Sequence, residues 1–515
     1  MAPTTFKLYR EGRRVFESHR KALEMAEGLG PILSRSARLM RRVQQLEQRV
    51  TFTVTTRTIS GERVNPLRNA RESAPIERLM ARADKRGKVA ERLKALGFEI
   101  VHEGWFGIVV RGPAALAAEV LRTKLMLQAR AGLSRIRSTQ IFRHNPGAPL
   151  PEELFVAPTQ SLSLPASFSE DADDVIFEPP ALYFQPVSPS PVACTYRIVD
   201  DATVRRYLDV PVGQTGAGSV VGLVDTGFYP HPFFGTNGFD LEPISAGPGD
   251  LPEVDEVGHG TAMAANIFTV APGAKVKGFK HDLDLPSHIA LERAGAPESG
   301  VDVISCSWGF EDEQTFGVLR STIRKLVSDG KIVLFAAGNA GVRAWPASMP
   351  EVIAVGGVYA DENDALMPSD YASGFASSRY PGRIVPDICG LCGNAPRGIY
   401  LMLPCAPGSR LDKLQAVASV SPGMAFPDAD ETEESDGWAG ASGTSAATAQ
   451  VAGLACLLLA EARRLGKTLD NVRLKALLTA SARAVPQSAG GAVPNTATGF
   501  GLVQAARAMD ELSRL

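Results

Sequence analysis

The sequence predicts an α/β protein in which a parallel β-sheet with helices on both faces follows a small α+β domain. From about residue 193 to the C-terminus, short apolar runs alternate with helical segments, which is typical of a parallel sheet. Residues 50–135 instead follow the order strand, helix, strand, strand, helix, which indicates a compact α+β unit. The length of 515 residues exceeds one ordinary core, so several domains are expected.

The N-terminal part of the chain is basic. Residues 1–150 hold 29 Lys and Arg against 13 Asp and Glu, a balance of +16, whereas the remainder holds 25 against 43, a balance of −18. Residues 1–49 are expected to form an arginine-rich helical arm. Opposite charges on two parts of one chain favour their association, so we expect the basic domain to dock on the acidic part. Nucleic acid is not expected as a partner.

The α+β unit is defined by its apolar spacing and by turn residues. The predicted elements are a strand around Val50–Val54, a helix at Lys88–Leu96 that Gly97 stops, strands at Phe98–Val101 and Phe106–Val110, and a helix from Ala114. Residues 146–191 contain ten of the 36 prolines. We therefore expect residues 136–192 to be a linker.

Residues 193–515 are expected to form the large domain. Its predicted strands are Ser219–Val224, Val301–Ser305, Ile332–Ala336 and Val352–Val355.

The longest apolar run, Val451–Ala460, is about half of the roughly 20 residues that a bilayer needs, so it indicates a buried helix. The first thirty residues are charged where a secretory signal would be apolar. We expect no membrane contact and a cytoplasmic protein.

The cysteines predict reduced thiols and not a disulfide scaffold. They are Cys194, Cys306, Cys389, Cys392, Cys405 and Cys456. The CxxC pair with a third cysteine suggests zinc, but no fourth ligand stands nearby, so no metal is expected. Four residues have side chains that can bind a metal but do not follow the spacing of a known metal site, namely His281, Asp282, Asp284 and His288. We expect them to lie in a surface loop.

Three segments carry residues suited to nucleophilic catalysis. Asp225 ends an apolar strand, where α/β folds place their sites. His259 stands between two glycines at a helix start, and Ser445 begins an apolar helix, where unpaired N–H groups stabilise negative charge. A helix-capping serine is the alternative for Ser445. The chain order Asp, His, Ser is one of the known orders of a catalytic triad.

These segments resemble the subtilisin-like serine peptidases, the S8 family. The segments VVGLVDTG, VGHGTAMAA and GASGTSAATAQVAG resemble the family's aspartate, histidine and serine motifs in order, and GFGLV resembles its closing motif. The resemblance covers about residues 195–510. It implies a subtilisin-like fold with Asp225, His259 and Ser445 as the triad. In place of the family's Ala-Pro-Gly after Pro-Asp-Val, this chain has CGLC and an insert, which departs from the family pattern.

The resemblance also implies residues that bind the substrate. KIVLFAAGNAG resembles the segment of the oxyanion asparagine, here Asn339, and VDVISCSWG resembles the strand that lines the primary specificity pocket. The implied substrate-binding residues are Ser307, Trp308, Gly309, Ala337 and Gly338. Trp308 would wall that pocket and favour small or apolar side chains, with a core tryptophan as the alternative.

The basic domain resembles a peptidase propeptide. Within residues 85–126, KVAERLKALGFEIVHEGWFGIVVRGPAALAAEVL resembles the activation propeptide of the sedolisin group and, more distantly, the subtilisin propeptides. The resemblance implies a domain that packs on the peptidase domain, assists its folding and blocks its cleft. An unrelated α+β binding module is the alternative.

Together these features predict a serine endopeptidase that acts on protein or peptide substrates under the control of its N-terminal domain. A dedicated maturation peptidase for one partner is a second hypothesis, and a catalytically silent binding protein on the same fold is a third. The chemistry needs no cofactor, and structural calcium stays open.

Overall fold

The structure is a computed structural model. It describes residues 49–62, 64, 75–129, 154–183, 196–198, 200–247, 249–281, 285–313, 315–339, 341–361, 363–393, 398–416, 432–488 and 491–515. The predicted N-terminal arm, up to residue 48, lies outside these residues, as do Cys194, Asp282 and Asp284.

The N-terminal unit is built on a four-stranded sheet in the order β2-β3-β1-β6. Its elements are β1 (Arg49–Thr56), α1 (Ala83–Ala95), β2 (Glu99–Glu103), β3 (Gly107–Pro113), α2 (Ala114–Val120), β4 (Leu125–Ala129), β5 (Leu154–Pro158), β6 (Ala172–Ile176) and β7 (Leu182–Tyr183). Val50, Phe52 and Val54 alternate along β1 toward the core that α1 covers. The predicted order of strand, helix, strand, strand, helix is therefore found from β1 to α2.

The prediction of a linker over residues 136–192 is wrong for residues 154–183. Strand β5 pairs antiparallel with β4, and β6 pairs antiparallel with β1 at the edge of the N-terminal sheet. Phe168 and Val175 lie in the core of this unit. Among the described prolines of this range, Pro158 ends β5, and Pro165, Pro179 and Pro180 lie between strands, so a high proline content did not exclude strands here.

The large unit follows. Its strands are β8 (Tyr196–Ile198), β9 (Val220–Asp225), β10 (Asp240–Ile244), β11 (Lys275–Lys280), β12 (Val303–Cys306), β13 (Trp308–Gly309), β14 (Ile332–Ala336), β15 (Ile353–Ala360), β16 (Leu366–Pro368), β17 (Phe375–Ala376), β18 (Ile384–Val385), β19 (Ile388–Leu391), β20 (Gly398–Pro404) and β21 (Trp438–Ala441). Its helices are α3 (Asp201–Tyr207), α4 (Pro232–Asn237), α5 (His259–Val270), α6 (His288–Gly295), α7 (Gly317–Ser328), α8 (Arg410–Ala416), α9 (Thr444–Arg464), α10 (Asn471–Ser481) and α11 (Ala505–Arg514).

The central sheet has eight strands and is mainly parallel. Its order is β10-β11-β9-β12-β14-β15-β16, with β19 also beside β15 and only β16 antiparallel. Strand β14 shows why both faces are covered. Ile332 and Leu334 pack in the core with α5 and α9, whereas Val333 and Phe335 pack on the opposite face with α6 and α7. The predicted fold class, a parallel sheet between two helical layers, is confirmed.

Helix α9 lies in the core. Among the described residues it is the one helix long and apolar enough to cross a membrane by length and composition, yet 89% of its most apolar stretch is buried inside the protein. Gly453 brings α9 against α5, because an added Cβ there would lie 2.8 Å from the carbonyl oxygen of Ile267. The helix that begins with His259 is thus packed directly on the helix that begins beside Ser445.

The N-terminal unit contacts the large unit through apolar and buried polar groups. Phe106 packs in one buried cluster with Val318 of α7, and Val109 packs with Ile289 of α6. At the centre lies Glu292, whose carboxylate accepts the N–H of Trp105 at 3.1 Å. His102 Nε2 lies 2.8 Å from the same carboxylate, which satisfies a charge that would be costly to bury alone.

Candidate active site

The predicted aspartate and histidine form a buried pair at the carboxyl edge of the central sheet. Asp225 is the last residue of β9, and His259 is the first residue of α5. His259 Nδ1 lies 2.7 Å from Asp225 Oδ1, which also accepts the N–H of Thr226 at 2.8 Å. Burial lowers the pKa of His259, but the charge and hydrogen bond of Asp225 outweigh burial, so the pKa is raised above the usual histidine value.

Asp255 holds the backbone that carries His259, and the sequence analysis missed it. Its two oxygens accept the N–H of Gly258 at 2.8 Å, the N–H of Thr261 at 2.9 Å, and the hydroxyls of Thr226 and Thr261, each at 2.7 Å. These bonds satisfy orphan N–H groups at the start of α5. Gly258 has a φ of +83°, which favours glycine there. The feature that could have predicted this role is an acidic residue four positions before the histidine of a Gly-His-Gly helix start.

Ser445 is the second residue of α9 and lies beside the loop that follows β12. Its Oγ donates to the carbonyl oxygen of Ser307 at 3.3 Å, and the Oγ of Ser307 donates back to the carbonyl of Ser445 at 3.1 Å. Ser445 and His259 line the same small cavity. Within the described part of the chain, His259 Nε2 has no hydrogen-bond partner. This nitrogen is the one through which a histidine can accept a proton from a serine.

Asn339 lies just beyond the end of β14, near the start of α9. Thr444 donates its N–H at 3.2 Å and its hydroxyl at 3.0 Å to Asn339 Oδ1. Because the amide is planar, these two bonds fix the direction of its NH₂ group. Both the Asn339 amide and the N-terminus of α9 therefore lie next to Ser445.

The predicted substrate-binding residues fall into two groups. Ser307 and β13, which contains Trp308 and Gly309, lie beside the nucleophile segment. Ala337 and Gly338 extend β14, with the N–H of Ala337 bonded to Val355 and the carbonyl of Gly338 bonded to Ser373. The substrate-binding role of all five stays a prediction. The Trp308 side chain is fully buried and its Nε1 donates to the Val224 carbonyl at 3.0 Å, which favours the alternative of a core tryptophan.

A segment of the N-terminal unit lies against this edge. Strand β7 pairs antiparallel with β13, with Tyr183 opposite Trp308 and Leu182 opposite Gly309. The Tyr183 ring centroid lies 5.3 Å from that of His259. Residues 182 and 183 were predicted to lie in a linker. A two-residue strand has no periodicity from which its pairing could be predicted.

The surface-loop expectation is wrong for both described histidines. His281 is 3% exposed and His288 is 2% exposed. His281 follows β11 directly, and its Nδ1 lies 2.7 Å from the Tyr183 hydroxyl. Burial, followed by the charge of His102, lowers the pKa of His288 to about 3.

The cysteines within the described residues are free and buried. Burial raises the pKa of the Cys392 thiol to about 11 and the pKa of the Cys389 thiol well above its usual value, so both stay protonated. Cys389 donates to the Thr498 carbonyl and Cys392 to the Tyr371 hydroxyl. Over the ranges given above, no group of three or more His, Cys, Asp or Glu residues is arranged to hold a metal ion.

Known proteins resemble part of this chain. Serine protease AprX of Bacillus subtilis (strain 168) is 29% identical over 305 residues, which are 51% of this chain and 62% of that protein. Subtilisin DY of Bacillus licheniformis is 28% identical over 179 residues, which are 30% of this chain and 62% of that protein. This chain thus spans less than two thirds of the length of either relative.

The solved structure of the prenylagaramide maturation protease PagA aligns with a TM-score of 0.43 and 21% identity, over 61% of this chain and 98% of that chain. The peptidase S8 family model, described as the subtilase family, matches residues 216–501, more than half of the chain. The matched region includes Asp225, His259, Asn339 and Ser445. With this match and the parallel sheet that carries the site, the chain belongs to the subtilase family.

Proposed function

We propose that this protein is a serine endopeptidase whose nucleophile is Ser445. The observation that carries the proposal is the buried hydrogen bond between His259 and Asp225. His259 Nε2, which has no partner among the described residues, lies at the cavity that Ser445 also lines. Membership of the subtilase family supports the same assignment.

In the proposed mechanism, Ser445 Oγ attacks the carbonyl carbon of the scissile peptide bond while His259 Nε2 takes its proton. Asp225 holds the imidazole with Nδ1 protonated and stabilises the imidazolium that forms. Asn339 donates its amide to the oxyanion, which lowers the barrier by roughly 3 to 4 kcal/mol when such a donor is present. His259 then protonates the leaving amine, and water hydrolyses the acyl-enzyme by the same steps.

Labelling with a fluorophosphonate probe tests the proposal, because the probe forms a covalent bond only with an activated serine. We expect one adduct on the wild type by intact mass and none on Ser445→Ala. Ser442→Ala is the matched control, because Ser442 lies three residues earlier in the same segment, and it should still be labelled. Absence of label on the wild type and also on Phe106→Asp, which places a carboxylate in the buried contact of the N-terminal unit with Val318, would contradict the proposal.

We further propose that the N-terminal unit inhibits the enzyme by occupying its cleft. Strand β7 takes the position on β13 beside Ser307, which itself contacts Ser445. Buried contacts hold the unit in place at some distance from the cleft, namely Phe106 against Val318 and Glu292 against Trp105. A peptide substrate would have to displace β7 before it reached the nucleophile.

The opposite charges of the two parts of the chain would add a long-range attraction that salt weakens. The close contacts themselves are mostly apolar. We therefore expect salt to change the rate of docking more than the stability of the docked state.

A further inference from the structure

Tyr183 is held between two histidines of the large unit. Its hydroxyl lies 2.7 Å from His281 Nδ1, and its ring meets the ring of His259 at a centroid distance of 5.3 Å. Its backbone is paired with Trp308. The side chain is thus fixed at three points, by one hydrogen bond, one ring contact and one strand pairing.

The strand register identifies which substrate position Tyr183 occupies. In a peptide that paired with β13 in the same antiparallel register, the residue after the one opposite Trp308 would come opposite Ser307. The carbonyl of Ser307 is the group that Ser445 Oγ contacts. A peptide bound in this register therefore presents its residue opposite Ser307 to the nucleophile. The position of Tyr183 is then the second residue before the cleaved bond.

His281 is rigid enough to select the side chain at that position. Its N–H donates to the Asp225 carbonyl at 2.6 Å, as the first residue after β11. Its ring packs on the fully buried indole of Trp308, with 4.8 Å between ring centroids. A buried imidazole held in one orientation places its Nδ1 at a fixed point. A substrate side chain that fills this position without a hydrogen-bonding group leaves Nδ1 unpaired and therefore binds more weakly.

We propose that His281 is a specificity-determining residue that binds a tyrosine hydroxyl at the second position before the cleaved bond. The inference rests on the proposed peptidase function and names its substrate class, peptides with tyrosine at that position. In the intact chain Tyr183 occupies this pocket. After release, substrates with the same side chain take its place.

Two fluorogenic peptides test the inference on the full-length protein, acetyl-Leu-Tyr-Phe-aminomethylcoumarin, taken from residues 182–184, and its Leu-Phe-Phe analogue. One hydrogen bond to a rigid buried partner predicts a kcat/KM about tenfold higher for the tyrosine peptide. His281→Leu should bring the ratio close to one. His281→Asn, which keeps a hydrogen-bonding group near the position of Nδ1, should retain part of the preference.

A second measurement does not depend on peptide turnover. In the protein that keeps His281, Tyr183→Phe should raise the rate of fluorophosphonate labelling by about tenfold, because it removes the hydrogen bond that holds residue 183 in the pocket. In the His281→Leu protein, Tyr183→Phe should leave the labelling rate almost unchanged.

Equal kcat/KM for the two peptides, or a ratio that His281→Leu leaves unchanged, would overturn the inference and leave the peptidase function standing. An effect of Tyr183→Phe on labelling that is the same with and without His281 would also overturn it. Absence of both hydrolysis and Ser445 labelling would instead refute the proposed function, and with it this inference.

Discussion

At the scale of single residues, the site is a set of side chains whose orientation is fixed by buried hydrogen bonds. Asp225, His259, Asn339 and Ser445 were all predicted from sequence, because each stands in a motif with a recognisable neighbourhood. Asp255 was not predicted. Its role depends on where the backbone of residues 226 and 258–261 folds back, which a local pattern does not contain.

The first prediction concerns Asp255 as a positioning residue. Asp255→Asn replaces an acceptor oxygen with a donor that faces N–H and hydroxyl donors, leaving some of them unsatisfied. We expect a loss of about 2 to 5 kcal/mol in the free energy of unfolding. We also expect a lower kcat, because the start of α5 carries His259.

Urea unfolding and peptide hydrolysis measure the two effects. The matched control is Asp240→Asn, whose carboxylate is exposed and pairs with Lys275 at 3.8 Å. It should stay within about 0.5 kcal/mol of the wild type. An Asp255→Asn protein with wild-type stability and kcat would contradict the assignment.

At the scale of elements, two features position the chemistry, namely the carboxyl edge of the central sheet and the contact between α5 and α9. The sequence predicted strands at 219–224, 301–305, 332–336 and 352–355, and the structure has β9, β12, β14 and β15 there. Long apolar runs make such strands detectable. Strands β5, β6 and β7 escaped prediction, because they are short and lie among prolines, and their pairing depends on distant residues.

Packing of α9 on α5 yields a second prediction. Gly453→Val places a side chain where even a Cβ would lie 2.8 Å from the Ile267 carbonyl and 2.9 Å from Val270 Cβ. The helices must separate, which costs about 1 to 3 kcal/mol and shifts Ser445 relative to His259. We expect thermal unfolding at a lower temperature and a loss of kcat of at least tenfold.

Ala460→Val is the control for this prediction, since it adds the same side chain to α9 at a partly exposed position. It should change stability by less than about 1 kcal/mol and leave kcat near the wild-type value. If Gly453→Val behaved like Ala460→Val, the two helices would not set the distance between the catalytic groups.

The loop before β7 gives a pH-dependent prediction. Burial raises the pKa of Glu178 to about 7, and the hydrogen bond from the N–H of Ser287 opposes the shift. The docked state thus binds this proton more tightly than a solvated carboxyl, whose pKa is about 4.3. Docking should be strongest below about pH 4.3 and weaken as the pH rises to 7, with no further change above.

Labelling rates of the wild type and of Glu178→Gln between pH 5 and 8 test this prediction. The ionisation of His259 affects both proteins alike, so the ratio of wild type to variant isolates Glu178. We expect the ratio to rise with pH up to about 7. A ratio that is flat over this range would show that Glu178 does not control docking.

At the scale of the whole molecule, the chain joins a subtilase domain to an N-terminal unit whose strand β7 pairs with β13 beside the candidate active site. The charge split of +16 against −18 predicts that the two parts attract each other, whereas the described contacts between them include the apolar clusters around Phe106 and Val109. Charge counts predict attraction and cannot locate an interface. Its position follows from Phe106, Val109 and Trp105, which lie around the turn before β3 and within that strand.

The measurement that tests the central claim most directly is the rate of fluorophosphonate labelling of Ser445 in three full-length proteins. Phe106→Asp places a carboxylate in the buried cluster with Val318 and should release the N-terminal unit. Ile59→Asp adds the same charge at a side chain that is 60% exposed and is not a member of that cluster. We predict labelling at least tenfold faster for Phe106→Asp than for the wild type and an unchanged rate for Ile59→Asp. Equal rates for all three folded proteins would contradict the account.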